Sequence, residues 1–264
     1  MQPELVVVGG GRMGTALVRG LIASGWSPGA IAVAESDDER RDELAEALPG
    51  VVPVAEPCAA AGAVLAVKPA DAAAACRALR EVQVTRALSI MAGVTISDLT
   101  SWLGPHVTVL RAMPNTPALV RAGVAALSGG AGVAEEDFAW GEALLGAVGR
   151  VVRVPEAELD AVTGLSGSGP AYVFLVTEAL VEAGVAAGLS HAVSTVLAVE
   201  TVAGAGRLLV ETAEAPEVLR AQVTSPGGTT EAGLAVLEGR GLRDALVAAV
   251  AAAAARSRQL GQRS

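Results

Sequence analysis

A short apolar run, Leu5 to Val8, passes directly into Gly9-Gly10-Gly11-Arg12-Met13-Gly14 and then into a helical stretch, Thr15 to Ala23, closed by Ser24-Gly25. Few folds satisfy that order. The Val/Leu run reads as a strand buried on both faces. Gly9 permits a tight turn, Gly11 lets the backbone approach a pyrophosphate, and Gly14 lets the helix pack closely on the strand. The helix start then offers free N–H groups and a positive dipole end to phosphates. Glu35 stands 21 positions past Gly14. A dinucleotide fingerprint carries an acid for the ribose hydroxyls about 20 residues on. The competing reading is a plain glycine-rich turn in an Ala/Gly-rich chain; flanks and spacing both favour the dinucleotide.

The strand–helix alternation continues. Ile31 to Ala34, Ala63 to Val67 and Leu88 to Met91 read as strands; Asp38 to Leu48 and Asp71 to Arg80 read as helices. This order implies a parallel sheet wound on both faces. Val107 to Ala112, Val124 to Leu127 and Val151 to Val154 read as the last strands. Beyond Pro155 the pattern is helical: Pro170 to Gly188, Ser190 to Leu209, and a terminal Ala-rich helix from Leu242 to Leu260. The expected fold class is therefore α/β, with residues 1–155 as a Rossmann dinucleotide-binding domain and residues 156–264 as an all-helical domain. Those helices are apolar on more than one face, so they must be covered. A partner subunit is the favoured cover, and a compact monomeric bundle the alternative.

Composition removes other classes. A net charge of -9 and 2% aromatic residues leave neither a basic surface nor a stacking platform for nucleic acid. Two cysteines, Cys58 and Cys76, and two histidines make no disulfide framework and no His-rich metal site. Met1 to Glu4 lacks a basic start, so no signal peptide is expected. No segment is expected to reach the roughly 20 apolar residues that span a bilayer, the longest candidate being Ala245 to Ala255. The expectation is a soluble, cytoplasmic protein with no metal, no membrane and no nucleic-acid partner.

The choice of cofactor stays open at this level. Glu35 repels a 2′-phosphate and favours NAD. Ser36, Arg40 and Arg41 lie just beyond it and offer donors for that phosphate, or else pair with Glu43 or Glu46 on a solvated helix. Lys68, the only lysine in the chain, sits at the carboxyl end of a strand, where ligands bind in open α/β sheets. An ordinary surface lysine is the plainer reading. Two further clusters stand out: Asp160 to Tyr172, and Gln222 to Thr230 ahead of a helix from Glu231 to Leu237. Paired glycines, hydroxyls and a helix start make an anion cradle of neutral donors. Simple N-capping by Thr229 or Thr230 is the alternative.

Taken together, Gly9-x-Gly11-x-Met13-Gly14, Val67-Lys68-Pro69, Ala92-Gly93-Val94-Thr95, Arg111 to Pro117, Asp160 to Tyr172 and Ser225-Pro-Gly-Gly-Thr-Thr230 resemble pyrroline-5-carboxylate reductases, from about residue 5 to residue 260. The resemblance implies reduction of 1-pyrroline-5-carboxylate to L-proline with NADPH or NADH, the final step of proline biosynthesis. It implies a Rossmann domain followed by a helical dimerisation domain, and a homodimer that in many members assembles further into decamers. By the same resemblance Arg12 and Met13, beside the fingerprint glycines Gly9, Gly11 and Gly14, bind the pyrophosphate, and Ser36 offers a hydroxyl at the adenosine phosphate; the fingerprint acid Glu35 beside it departs from the family pattern and weighs against NADPH. Ala66, Val67, Lys68, Pro69, Ala92 and Gly93 line the cofactor. Ser225, Gly227, Gly228 and Thr229 grip the substrate carboxylate, Thr230 reaches the ring nitrogen as the catalytic residue, and Glu156 falls near a substrate-site acid. The substrate is a cyclic imine, so hydride passes to the imine carbon, the nitrogen is best protonated first, and solvent can deliver that proton.

The nearest rival is a β-hydroxyacid dehydrogenase, which resembles a Rossmann domain plus helices but uses a lysine in the C-terminal half, where this chain has none. A non-catalytic nucleotide sensor on the same fold would keep Gly9, Gly11 and Gly14 without needing Ser225 to Thr230.

Overall fold

A computed structural model describes residues 2–261. They divide into two compact units, one built from residues up to Ser168 together with those from Ala251 onward, the other from Gly169–Val250.

The first unit opens with β1 (Leu5–Val8), α1 (Arg12–Ala23), β2 (Ile31–Ala34), α2 (Asp38–Ala47), β3 (Val52–Val54), β4 (Gly62–Leu65) and α3 (Ala72–Arg80). It continues with β5 (Arg86–Ser89), α4 (Ile96–Leu103), β6 (Thr108–Pro114), β7 (Gly123–Gly129), α5 (Glu135–Gly146), β8 (Gly149–Arg153) and the short α6 (Leu159–Val162). The eight strands form one sheet in the order β3-β2-β1-β4-β5-β6-β7-β8. Alternate residues of β1 feed two cores. Leu5 and Val7 pack with Leu17, Val18 and Leu21 of α1; Val6 and Val8 pack on the other face with Cys76, Leu79 and Leu99. All four β1 side chains are buried, which is why the strand reads as an unbroken apolar run. Burial also pushes the Cys76 thiol up to about 12, so it is a core filler rather than a nucleophile.

The expectation of a parallel sheet needs one correction, because β7 runs antiparallel to β6, pairing Leu110 with Gly129 and Pro114 with Ala125. The chain between them, through a 3₁₀ turn at Thr116–Val120 and a left-handed Arg121, holds no crossover helix. A parallel return needs a dozen or more residues. The sequence reading does not include β3, α4, α5, α6 or the later α9 (Pro216–Gln222). The edge strand β3 has only three residues with Pro53 in the middle, which an edge tolerates. Helix α4 is held by a Thr95/Asp98 capping box, and α5 starts on three acids.

The second unit contains α7 (Gly169–Ala186), α8 (His191–Thr212), α9 (Pro216–Gln222), α10 (Thr229–Gly239) and the start of α11 (Leu242–Gly261). A Cβ on Gly184 would stand 2.7 Å from Ser194 Oγ, so α7 and α8 approach closely at their shared end. Neither α7, α9 nor α10 buries a residue. Phe174, Leu175, Val196, Leu197 and Val210 are all more than half exposed. The expectation that nothing here is long and apolar enough to span a bilayer is also corrected. By length and composition two helical stretches are, Glu156–Ala186 with mean hydropathy 1.3 and His191–Thr212 with 1.5. Thr177, Glu178 and Glu182 break the apolar run in α7, and Ser194, Thr195, Glu200 and Thr201 break it in α8, yet both helices stay apolar on average.

Candidate functional site

The topology creates the first crevice. From β1 the chain steps outward through β2 and β3, then returns to β4 on the opposite side of β1. This reversal is the switch point at which open α/β sheets bind ligands. Val8 is in register with Ala34 on one side and Leu65 on the other, so Gly9, Glu35 and Ala66 emerge together at the carboxyl edge. A cleft of about 670 Å³ opens there, lined among others by Gly9, Gly11, Glu35, Ser36, Arg40, Ala66, Val67 and Lys68.

The glycines behave as their spacing requires. At Gly9, with φ of +106°, a Cβ would meet Ala66 O at 2.7 Å. At Gly14 a Cβ would meet Gly9 O at 2.2 Å, while at Gly11 it would meet nothing within 4 Å, leaving open space above the turn. Helix α1 starts with no side-chain cap and no acid in its first turn. By contrast α2 is capped by Asp37 and carries Asp38 and Glu39 in its first turn. Arg12 is exposed and Met13 packs against the core, so both bring their backbone to the first turn of α1. An open approach at Gly11 beside an uncapped, acid-free helix start fits a pyrophosphate.

The exit of β2 is held by bonds that the sequence does not announce. Glu35 Oε2 accepts from Gly10 N at 3.1 Å and its Oε1 from Asp37 N at 3.2 Å. Arg40 donates through Nε and an η nitrogen to Gly10 O, at 3.2 and 3.0 Å, and through the other to Glu43 at 2.5 Å. Arg41 donates to Glu35 O at 2.7 Å and to Asp38. Of the two sequence readings of the arginines, the pairing with α2 acids is the one seen, with Glu43 for Arg40 and Asp38 for Arg41, and Arg40 in addition clasps the glycine turn through the Gly10 carbonyl.

Other predicted residues sit differently. Lys68 is exposed on the cleft wall, and Pro69 begins a 3₁₀ turn that leads into α3. Ala92 and Gly93 follow β5, one strand further along the sheet. Gly93 is buried, and a Cβ there would stand 2.9 Å from Gly261 N. Glu156 is engaged from behind this turn: its Oε1 accepts from Ile96 N at 2.7 Å and from the buried Arg111 at 3.0 Å. The Asp160 to Tyr172 stretch, which looks like a glycine-rich junction, is helical through α6, a π turn at Thr163–Gly167 and the start of α7. Asn115 reaches Ser166 Oγ in that turn at 3.4 Å and takes Val124 N at 2.9 Å.

In the second unit the Ser225–Thr230 loop leads into α10. The N-cap is Gly228, without a side-chain cap bond, so neither Thr229 nor Thr230 caps the helix; they are its first two residues. Ser225, Gly227, Thr229 and Thr230 are exposed. Gly227 has φ of +69°, and Glu231, which sequence reasoning passed over, accepts its N–H at 2.7 Å. A Cβ on Gly228 would stand 2.5 Å from Ser225 Oγ. The loop is thus a tight turn with exposed hydroxyls at Ser225, Thr229 and Thr230, and the Glu231 carboxylate in the first turn of α10 takes the Gly227 amide. Among the described residues no group of three or more His, Cys, Asp or Glu side chains is placed to hold a metal ion.

Comparisons with known proteins agree in kind. Residues 156–260 match the family described as pyrroline-5-carboxylate reductase dimerisation, and residues 4–93 match that described as NADP oxidoreductase, coenzyme F420-dependent. The chain is 43% identical to the pyrroline-5-carboxylate reductase of Synechocystis, covering 100% of both chains. Its fold is similar to the solved reductase of Coxiella burnetii, with a TM-score of 0.91 and 37% identity over 98% of this chain and 99% of that one. It is also similar to the Plasmodium falciparum enzyme solved with NADP bound, with a TM-score of 0.83 and 26% identity over 98% of each chain.

Proposed function

The chain belongs to the pyrroline-5-carboxylate reductase family, and on that premise we propose how its residues divide the work. The reaction is the reduction of 1-pyrroline-5-carboxylate to L-proline, the last step of proline biosynthesis, with NAD(P)H as reductant. The β1–α1 turn, Gly9 to Gly14, holds the pyrophosphate. Glu35 and Ser36 hold the adenosine end, and Ala66 to Pro69 with Ala92 and Gly93 line the remainder. When bound, the cofactor supplies the hydride. Ser225, Gly227, Gly228 and Thr229 hold the substrate carboxylate, and the Thr230 hydroxyl orients the ring nitrogen. Glu156 serves the site indirectly, by fixing the turn between Gly93 and Ile96. We draw the functional boundary at residue 155, after which the substrate and dimerisation segment begins.

The single observation that supports this reading best is the uncapped start of α10, where Thr229 and Thr230 present hydroxyls not spent on the helix. The test is cofactor oxidation followed at 340 nm with pyrroline-5-carboxylate and, separately, with 3-hydroxy acids. Turnover of the cyclic imine alone is expected. Turnover of hydroxy acids alone, or of neither, contradicts the proposal.

A second copy of the chain, rather than lipid, covers the apolar helices. Glu178 and Glu200 lie near the middle of α7 and α8. A carboxylate at the centre of a bilayer-spanning helix costs roughly 2.5–3.5 kcal/mol. The assembly is a cytoplasmic homodimer with a decamer as its higher form, binding a small molecule and no nucleic acid. Sedimentation should give a dimer or a multiple of it, and Leu175→Glu or Val196→Glu should shift it to smaller species. A wild-type monomer at micromolar concentration contradicts this.

A further inference from the structure

We propose that Glu35 is a specificity-determining residue that makes this chain prefer NADH to NADPH. The inference rests on the assignment of the switch-point cleft to the dinucleotide. Three observations carry it.

The first is where the carboxylate is and how it is held. Glu35 is half-buried at the exit of β2 and lines the cleft. One oxygen accepts the Gly10 N–H and the other the Asp37 N–H. A side chain tied at both oxygens to two separate stretches of backbone does not swing aside to admit a second anion. Each carboxylate oxygen keeps a further lone pair, so the group can still accept hydrogen bonds from ribose hydroxyls. A 2′-phosphate offers acceptors and about two negative charges where those hydroxyls would have offered donors.

The second observation concerns the cations that would have to compensate. Arg40 spends Nε and one η nitrogen on the Gly10 carbonyl and the other on Glu43. Arg41 donates to the Glu35 carbonyl and to Asp38, which ties it to the exit of β2 and the first turn of α2. Arg40 joins α2 to the glycine turn. To turn its Nε edge toward a phosphate it would have to release the Gly10 carbonyl, in the same loop that receives the pyrophosphate.

The third is the sign of the cleft. Its charged lining consists of four acids, Glu35, Asp37, Glu56 and Asp71, against two bases, Arg40 and Lys68. Extra phosphate charge enters a field that is already negative, and a bare hydroxyl does not encounter that penalty.

The experiment is direct titration of the full-length chain with NADH and with NADPH, read by cofactor fluorescence without substrate, alongside kcat/KM for both cofactors. NADH should bind at least about tenfold more tightly, a difference of roughly 1.4 kcal/mol. Glu35→Ser should narrow that ratio by about tenfold or reverse it, mainly by strengthening NADPH. Glu35→Gln, which removes the charge and keeps one oxygen to accept from the Gly10 or the Asp37 amide, should narrow it in the same direction even if the serine variant folds poorly. Arg40→Ala should weaken both cofactors alike, as the loss of a loop clasp requires. Equal or tighter binding of NADPH by the wild type overturns the inference. So does an unchanged ratio in both Glu35 variants, or a selective loss of NADPH in Arg40→Ala. Preferential NADH binding without turnover of pyrroline-5-carboxylate would instead contradict the proposed reaction while supporting the assignment of Glu35.

Discussion

Gly14→Ala should unfold at distinctly lower urea and bind its cofactor weakly, whereas Gly11→Ala should keep its stability and lose only the cofactor. The two glycines lie in one turn yet face different neighbours. A methyl on Gly14 lands 2.2 Å from the Gly9 carbonyl and 3.4 Å from Ala66 Cβ. Backbone cannot rotate out of the way as a side chain can, so α1 must back off from the β1–β4 edge. Overpacking of this kind costs about 1–3 kcal/mol, and it displaces the amides that the pyrophosphate needs. A methyl on Gly11 meets nothing in the protein. It projects only into the space through which a phosphate approaches. Urea midpoints and cofactor dissociation constants, measured together on the two variants, separate these effects. Equal stability of the two variants would show that the close approach at Gly14 is not holding the fold.

The second large effect is expected at Thr230. It is the second residue of α10, exposed, and not engaged in capping. Alanine has the higher helix propensity, so Thr230→Ala should retain secondary structure and melting temperature. If the hydroxyl orients the ring nitrogen as hydride arrives, its loss removes one donor or acceptor positioned for the transition state. Such deletions lower kcat by about 10²–10³, or roughly 2.7–4 kcal/mol. Thr230→Ser keeps the hydroxyl and should recover most of the rate. Wild-type turnover in the alanine variant would remove Thr230 from the mechanism.

Much of this arrangement is legible in the sequence because it is local. Buried parallel strands such as β1 and β2 announce themselves as short Val, Ile, Leu and Ala runs, and the Gly9–Gly14 turn has its steric reasons within six residues. The long helices α7, α8 and α11 are equally plain, whereas α6 and the short α9 are not. What the sequence hides depends on distant partners. Nothing in Arg40 marks it as a ligand of the Gly10 carbonyl 30 residues away, and Glu156 gives no sign that it joins Ile96 to Arg111. The strand β3 is too short and too proline-disrupted to carry a period. The reversed direction of β7 was readable in principle, since so short a connection after Pro114 holds no crossover helix. The apolar character of α7 and α8 is visible in the sequence, but their length as spans is not, because hydroxyl residues and glutamates such as Glu178 and Glu200 break the apolar runs. In the Ser225–Thr230 loop the residue types were legible and the cap was not: glycine, rather than either threonine, begins α10.

The central claim is that the β1–α1 turn receives the nucleotide and the loop before α10 receives the substrate carboxylate. Amide hydrogen exchange on the full-length chain tests it most directly, with cofactor alone and then with cofactor plus a saturated five-membered-ring carboxylate that lacks the imine. The cofactor should slow exchange across residues 9–15, and adding the carboxylate should slow it across residues 225–231. Protection by the carboxylate elsewhere, with residues 225–231 exchanging as freely as before, would contradict the account.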